Sequence, residues 1–218
     1  MQDNFKVIFT GRLNFGNQRS FDKVLKLYEH RMENYYKTEV LFLSEDVFNE
    51  EKLCLDIPRF ITLAPKKKWQ NTINIMRSVA EYAIAGDIKA WMIHEGKMLD
   101  QYYIEPKSDK TAVKEFLLGR ELVEQEDHMQ EAFEAFSRAI AKFDKHALAY
   151  ERRGFVNFRL NNYEDALYDY NKSIKFNDIV PKPHLGRGLV HMATEKYKEA
   201  IQDFDLAIKR AMPLQQIY

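Results

Sequence analysis

The chain has one cysteine, Cys54, among 218 residues. No intrachain disulfide can form, which suits a reducing compartment. Cys54 lies in the apolar run Leu53-Cys54-Leu55 and reads as a small buried hydrophobe rather than a reactive thiol. An excess of either charge is also missing: 33 Lys and Arg balance 33 Asp and Glu. Long-range steering toward nucleic acid or an acidic membrane is therefore not expected. Nowhere does the chain approach the roughly eighteen consecutive apolar residues of a membrane span. Its start, Met1-Gln2-Asp3-Asn4-Phe5, has no basic segment leading into an apolar core. The expectation is a cytoplasmic protein without a removable leader and without a membrane partner.

Motifs that carry chemistry are equally scarce. The histidines His30, His94, His128, His146, His184 and His191 include no His-x3-His pair, and a single cysteine excludes CxxC, so no metal site is assigned. Gly11-Arg12-Leu13-Asn14-Phe15-Gly16 has neither the glycine spacing of a dinucleotide fingerprint nor the Lys-Ser or Lys-Thr of a P-loop. Ile8 to Leu13 is superficially similar to the first-strand motif of an RNA-recognition domain. The matching third-strand segment is missing, because the region from Cys54 to Leu63 offers only Arg59-Phe60. The run Lys66-Lys67-Lys68-Trp69 opens a helix against its dipole and reads as a solvated stretch after Pro65. No catalytic residue and no cofactor are assigned.

Residues 1–106 do not repeat. Lys6 to Thr10 has strand character, followed by a polar loop from Gly11 to Arg19 with Ser20 as helix cap. Phe21 to Lys37 has helical periodicity. Glu39 to Ser44 and Lys52 to Ala64 return to strand character. Trp69 to Ala85 is helical with Gly86 as its stop. Ile88 to His94 and Met98 to Ile104 flank Glu95-Gly96 as a hairpin. The order β-α-β-β-α-β-β predicts a small α+β domain of unknown role, with a ferredoxin-like arrangement as one candidate. Pro106 to Asp109 reads as a linker that caps the next helix.

The second half is periodic. Thirty-four residues separate Gly154 from Gly188, Ala166 from Ala200, and Tyr170 from Phe204. An earlier copy runs through Gly119, Ala132, Phe136, Ala139 and Ile140, with one extra residue in the charged turn Gln125-Glu126-Asp127-His128. Each copy has two helical stretches, and the second is apolar at i, i+1, i+4, i+7 and i+8, one face of a helix. A period near 34 with small residues at matched positions marks stacked helical hairpins.

This pattern resembles the tetratricopeptide repeat, on Tyr150, the three glycines, the three Ala-x3-aromatic pairs, and Ala139 and Ala207. Arg153 and Arg187 stand where leucine is usual, so their stems are expected to pack while their guanidinium groups reach water. Asp178 replaces the closing proline. The resemblance implies three repeats, at about 111–146, 147–180 and 181–212, within a second domain spanning 107–218 with a short C-terminal tail. It also implies that the first helix of each repeat lines a concave groove. On that reading Arg120, Arg152, Phe155, Arg159, Lys182 and Leu185 form a peptide-binding surface. Some members clamp the acidic tail of a chaperone. Lys182 matches one clamp position, but Phe116 and Gly186 stand where a lysine and an arginine are needed, and Arg120 and Arg152 replace two asparagines.

The function expected is therefore a non-enzymatic adaptor that grips a protein or peptide with some acidic character. Two alternatives are an enzyme or regulator whose N-terminal domain is active while the repeats recruit its target, and a nucleic-acid-binding adaptor. Ile201, Phe204 and Ile208 lack a successor helix, so the last repeat is expected to be covered by self-association, by the tail, or by further sequence.

Overall fold

The computed structural model describes residues 4–37 and 39–211. They divide into two compact units at Ser108/Asp109.

In the N-terminal unit, β1 (Asn4–Asn14) lies at the centre of a five-stranded sheet of order β2-β3-β1-β4-β5. Its neighbours are β3 (Cys54–Pro65) and β4 (Ala85–His94), both antiparallel to it. The short β2 (Phe48–Asn49) pairs with Leu55 and Cys54, and β5 (Lys97–Ile104) completes a hairpin with β4. β1 separates β3 from β4, so β3, the helix after it and β4 form a split βαβ. With every pairing antiparallel, the order β2-β3-β1-β4 is that of the expected ferredoxin-like arrangement, with β5 as an added edge strand.

Helices α1 (Gln18–Asn34) and α3 (Lys66–Ala80) bury Phe21, Val24 and Tyr28, and Trp69, Ile73 and Met76, respectively. These meet Val7, Phe9 and Leu13 of β1 and Ile88, Ala90 and Met92 of β4 in one core. Phe9 stands 5.0 Å from the Trp69 ring and 5.5 Å from that of Phe42. Period-two alternation puts the odd-numbered residues of β1 on the helix side, each fully buried Val or Phe contributing about 1.5–3 kcal/mol.

Several local expectations change. The stretch from Gly11 to Asn14 is strand rather than loop. Gly11 has φ +144° at a bulge against β3, where an added Cβ would lie 2.1 Å from the Asp87 carbonyl oxygen. Only glycine lets the strand continue there. Helix α1 is capped by Asn17, whose side chain accepts from the Ser20 N–H at 2.9 Å, so Ser20 is a donor rather than the cap. Glu39 and the residues from Val40 to Leu43 are irregular, and Ser44–Val47 is a single helical turn, α2. Tertiary hydrogen bonds take the place of a ladder: Thr72 accepts from the Leu41 N–H, and Phe42 C=O accepts from the Tyr28 hydroxyl. Gly86 sits inside β4, not at a helix end, because its φ of +101° brings the backbone against Arg12. Cys54 is fully buried, and burial pushes its thiol up to about 11.

The C-terminal unit is three helical hairpins. They are α4 (Thr111–Leu122) with α5 (Met129–Lys142), α6 (Ala147–Arg159) with α7 (Tyr163–Phe176), and α8 (Pro181–Ala193) with α9 (Tyr197–Arg210). Helices pack within each hairpin, each second helix packs on the next first helix, and α6 also meets α8. The N-cap of α4 is Lys110 without a side-chain cap bond, so neither Ser108 nor Asp109 caps it; Asp109 instead pairs with Lys114 at 3.2 Å.

The glycines explain the close approach. A Cβ on Gly119, Gly154 or Gly188 would lie 2.7, 3.1 or 2.6 Å from a ring carbon of Phe136, Tyr170 or Phe204, respectively. The second and third hairpins turn through Asn161 and Glu195 at φ 61° and 59°. In each, an N–H one residue further on reaches back six residues' span into the helix, Asn162 to Asn157 C=O and Lys196 to His191 C=O, both at 2.8 Å. The extra residue of the first hairpin is absorbed by a 3₁₀ turn, Glu126–His128.

Candidate peptide-binding surface

The sequence-expected groove residues all lie on first helices. Arg120 on α4 is half-buried, with its guanidinium carbon 5.9 Å from the Phe116 ring centroid. Arg152 on α6 is half-buried and 3.3 Å from the Glu151 carboxylate. Arg159 is exposed and lies 6.0 Å over the Phe155 ring, one helical turn away, within cation–π range. Lys182 is exposed on α8, and Leu185 and Met192 are exposed one and three turns along the same helix. Helices α6 and α8 meet directly, and Lys182, Leu185 and Met192 recur at helical spacing along α8. A surface of this kind offers guanidinium groups to carboxylates and apolar side chains to apolar neighbours.

The two unmatched clamp positions have packing roles. Phe116 lies 6.0 Å from Phe136 and 4.9 Å from His146, ring to ring. Gly186 is buried against Tyr170: an added Cβ would fall 2.3 Å from the phenol carbon Cζ. A long cation cannot replace that glycine while Tyr170 keeps its place.

Arg153 and Arg187 do not reach out to water, as the sequence suggested, but inward. Arg153 donates through Nε and Nη2 to both oxygens of Asp169 at 2.9 and 2.7 Å, and through Nη1 to Ser137 Oγ at 3.0 Å. Arg187 repeats this with Asp203 at 2.9 and 2.6 Å and with Asn171 Oδ1 at 2.6 Å. Arginine, aspartate and acceptor each recur after thirty-four residues. Each guanidinium thus joins three helices, its own, its hairpin partner, and the second helix of the preceding hairpin. Burial alone would lower the Arg153 pKa, but the hydrogen bonds and charge of Asp169 raise it above the usual arginine value. Asn157 completes Asp169 at 3.1 Å, and the Asn157-equivalent His191 stands 3.7 Å from Asp203. The signal was present, as an Arg and an Asp sixteen residues apart in two successive repeats. It is invisible to helical periodicity, because the partners lie on different helices.

The remaining polar groups are also structural. His146 caps α6 by accepting the Ala149 N–H on Nδ1 at 3.2 Å, and burial holds its pKa down to about 3. His184 is buried 3.7 Å from Asp203; burial, then Arg210 and Arg187, lower its pKa. Among the described residues no group of three or more His, Cys, Asp and Glu is arranged to hold a metal, and no helix is long and apolar enough to cross a membrane.

The N-terminal unit contains a cavity of about 310 Å³ lined by Leu41, Val47, Ile57 and Phe60, with Asp46 and Asp56 among its walls. Both carboxylates are engaged: Asp46 accepts the Leu43 N–H at 2.9 Å, and Asp56 pairs with Arg12 at 2.6 Å. No histidine lines it.

Comparison with known proteins bears on the second unit. Residues 116–181 match the family model described as tetratricopeptide repeat. A search of curated proteins returned no match. Among solved structures, the second such domain of Spaghetti (RPAP3), bound to HSP90 peptide SRMEEVD, is 24% identical, with 47% of this chain and 94% of that one covered and a TM-score of 0.45. The TPR2B domain of yeast Sti1, in complex with an Hsp70 peptide, is 22% identical over 46% of this chain and 79% of that one, with a TM-score of 0.44. The Yersinia enterocolitica type III secretion translocator chaperone SycD is 13% identical over 46% of this chain and 75% of that one, also at 0.44.

Proposed function

We propose that this chain, whose C-terminal half carries tetratricopeptide repeats, is a non-enzymatic adaptor that binds a peptide or protein segment along the inner row of α4, α6 and α8. The observation that carries this reading is the surface of α6 and α8. Leu185 and Met192 are 47% and 49% exposed there, on the two helices that also carry Arg152, Arg159 and Lys182. Apolar tips among cations fit a ligand that alternates carboxylates with apolar side chains. Recognition of a terminal carboxylate by the full chaperone clamp is not part of the proposal, since Phe116 and Gly186 are committed to packing. The two carboxylates in the N-terminal cavity already serve a helix turn and an ion pair, which supports a non-catalytic role for that unit.

Affinity capture with the wild-type chain and with the Arg152→Ala/Lys182→Ala variant, read by mass spectrometry, identifies the ligand. Titration of that ligand should then show at least a tenfold loss of affinity in the variant. Equal affinity would reject the inner row as the binding surface.

A further inference from the structure

The ladder that joins successive hairpins continues onto the outer face of α9. On α5 Phe133, Phe136, Ser137 and Ile140 receive the next hairpin; on α7 Leu167, Tyr170 and Asn171 do so, with Ile174 at the position of Ile140. The equivalent residues of α9 are Ile201, Phe204, Asp205 and Ile208, again displaced by thirty-four. Where a hairpin follows, Phe136 and Tyr170 are 0% and 2% exposed, Ile140 is 8% exposed, and Phe133, Leu167 and Ile174 are half-buried. On α9 Ile201 and Ile208 are open, at 61% and 68%, and Phe204 is half-buried against Gly188. Tyr197, one turn before Ile201, is 60% exposed and extends the stripe.

The polar position decides what fits. Ser137 and Asn171 each accept one N–H from the arginine of the following hairpin, at 3.0 and 2.6 Å. Asp205 stands third in that series and faces solvent. A carboxylate is a stronger acceptor for a guanidinium than the hydroxyl or amide of the two internal rungs. An apolar stripe with an arginine acceptor in its middle asks for a helix with the reciprocal pattern.

We propose that the outer face of α9 docks a helical hairpin of a partner protein, whose first helix closes over Ile201, Phe204 and Ile208 and donates an arginine to Asp205. A second copy of this chain fits less well. Head-to-tail stacking would bring α4 onto α9 with Leu118 in the place of the arginine, because the first hairpin has Leu118 and Ala135 where the others have Arg and Asp. Two-fold pairing of α9 with itself would set Asp205 near its own copy, like charge against like. Residues 212–218 contain no arginine or lysine.

The test uses the full 218-residue chain and a fluorescein-labelled peptide of residues 181–211, the hairpin that already fits the internal rung at Asn171. Anisotropy titration should show saturable binding. Asp205→Lys and Ile208→Asp in the chain should each weaken it at least tenfold, with helix content unchanged by circular dichroism. A peptide with Arg187→Leu and Asp203→Ala, which copies the first hairpin, should lose a similar factor. Arg152→Ala in the chain should leave binding unchanged, which separates this face from the inner row. Absence of saturable binding, or indifference to Asp205→Lys, overturns the proposal. So does a concentration-dependent dimer in sedimentation that Ile208→Asp abolishes, which would assign the face to a second copy. A photo-crosslinker at position 208 that captures residues 212–218 of the same chain would assign it to the tail, with the same consequence.

Discussion

The two units solve the same problem of burial by different means. The N-terminal unit gathers its apolar residues into one continuous core under the sheet, from Val7 through Trp69 to Ile104. The array has only small clusters, such as Met129, Ala132, Phe136 and Val156, each shared by neighbouring helices. The polar residues divide the other way. Arg12 and Thr72 are the buried polar side chains of the first unit, among the described residues. The array buries His146, Glu151, Asn157, Asp169, Ser173, Asn177, His184 and Asp203. A sheet core filled by non-local apolar contacts needs few buried polar groups. Stacked hairpins have thin interfaces, and hydrogen-bonded charges set the register between them. The lesson is that this array depends on charge state and on removal of single charges at more points than the sheet unit, whose buried charge is Arg12, paired with Asp56.

The largest test of that contrast is Asp169→Ala. It leaves Arg153 buried without its carboxylate and should destabilise the array by about 3–5 kcal/mol. Adding Arg153→Leu, which recreates the Leu118/Ala135 pair of the first hairpin, should recover most of the loss in a urea denaturation series.

Acid is the next probe. The folded array holds His146 neutral, with a pKa near 3, whereas the unfolded chain takes up a proton near the ordinary value of 6.5. The contribution is therefore complete above about pH 6.5 and is lost as the pH falls toward 3. At pH 4 the loss is on the order of 3 kcal/mol. His184 acts in the same direction. His146→Asn keeps a capping acceptor and removes the titration, so its melting temperature should fall less between pH 7 and pH 4 than that of the wild type.

Smaller effects are expected from shape and backbone. Gly186→Ala places a methyl group against the Tyr170 ring and should cost about 1–3 kcal/mol. Glu195 holds a positive φ of 59°, and Glu195→Gly should stabilise the third hairpin by up to about 1 kcal/mol in the same denaturation assay. The matched Asn161→Gly should give less, because asparagine tolerates that conformation.

Legibility in the sequence followed the range of the contacts. The helices of the array were readable because their packing partners recur at one spacing, so Gly154 and Gly188 announced the same close approach twice. Helices α1 and α3 and the β4–β5 hairpin were readable from local periodicity. The extension of β1 through Gly11 and the irregular path from Val40 to Leu43 were not, since each depends on strands or side chains brought in from tens of residues away. The six groove residues were placed on first helices by resemblance. The packing of Phe116 and Gly186 and the inward turn of Arg153 and Arg187 required knowing which helix lies opposite.

The sequence by itself determined the hairpin array, because a repeated set of small and aromatic residues can be satisfied only by the same helix pair each time. It also determined the neutral charge balance and the scarcity of chemical motifs. Tertiary structure alone decided where the strands of the sheet begin and end and the fate of the buried charges. A guanidinium beside a leucine position can be solvated or paired, and only the carboxylate sixteen residues away, carried to it by the turn between two helices, settles which.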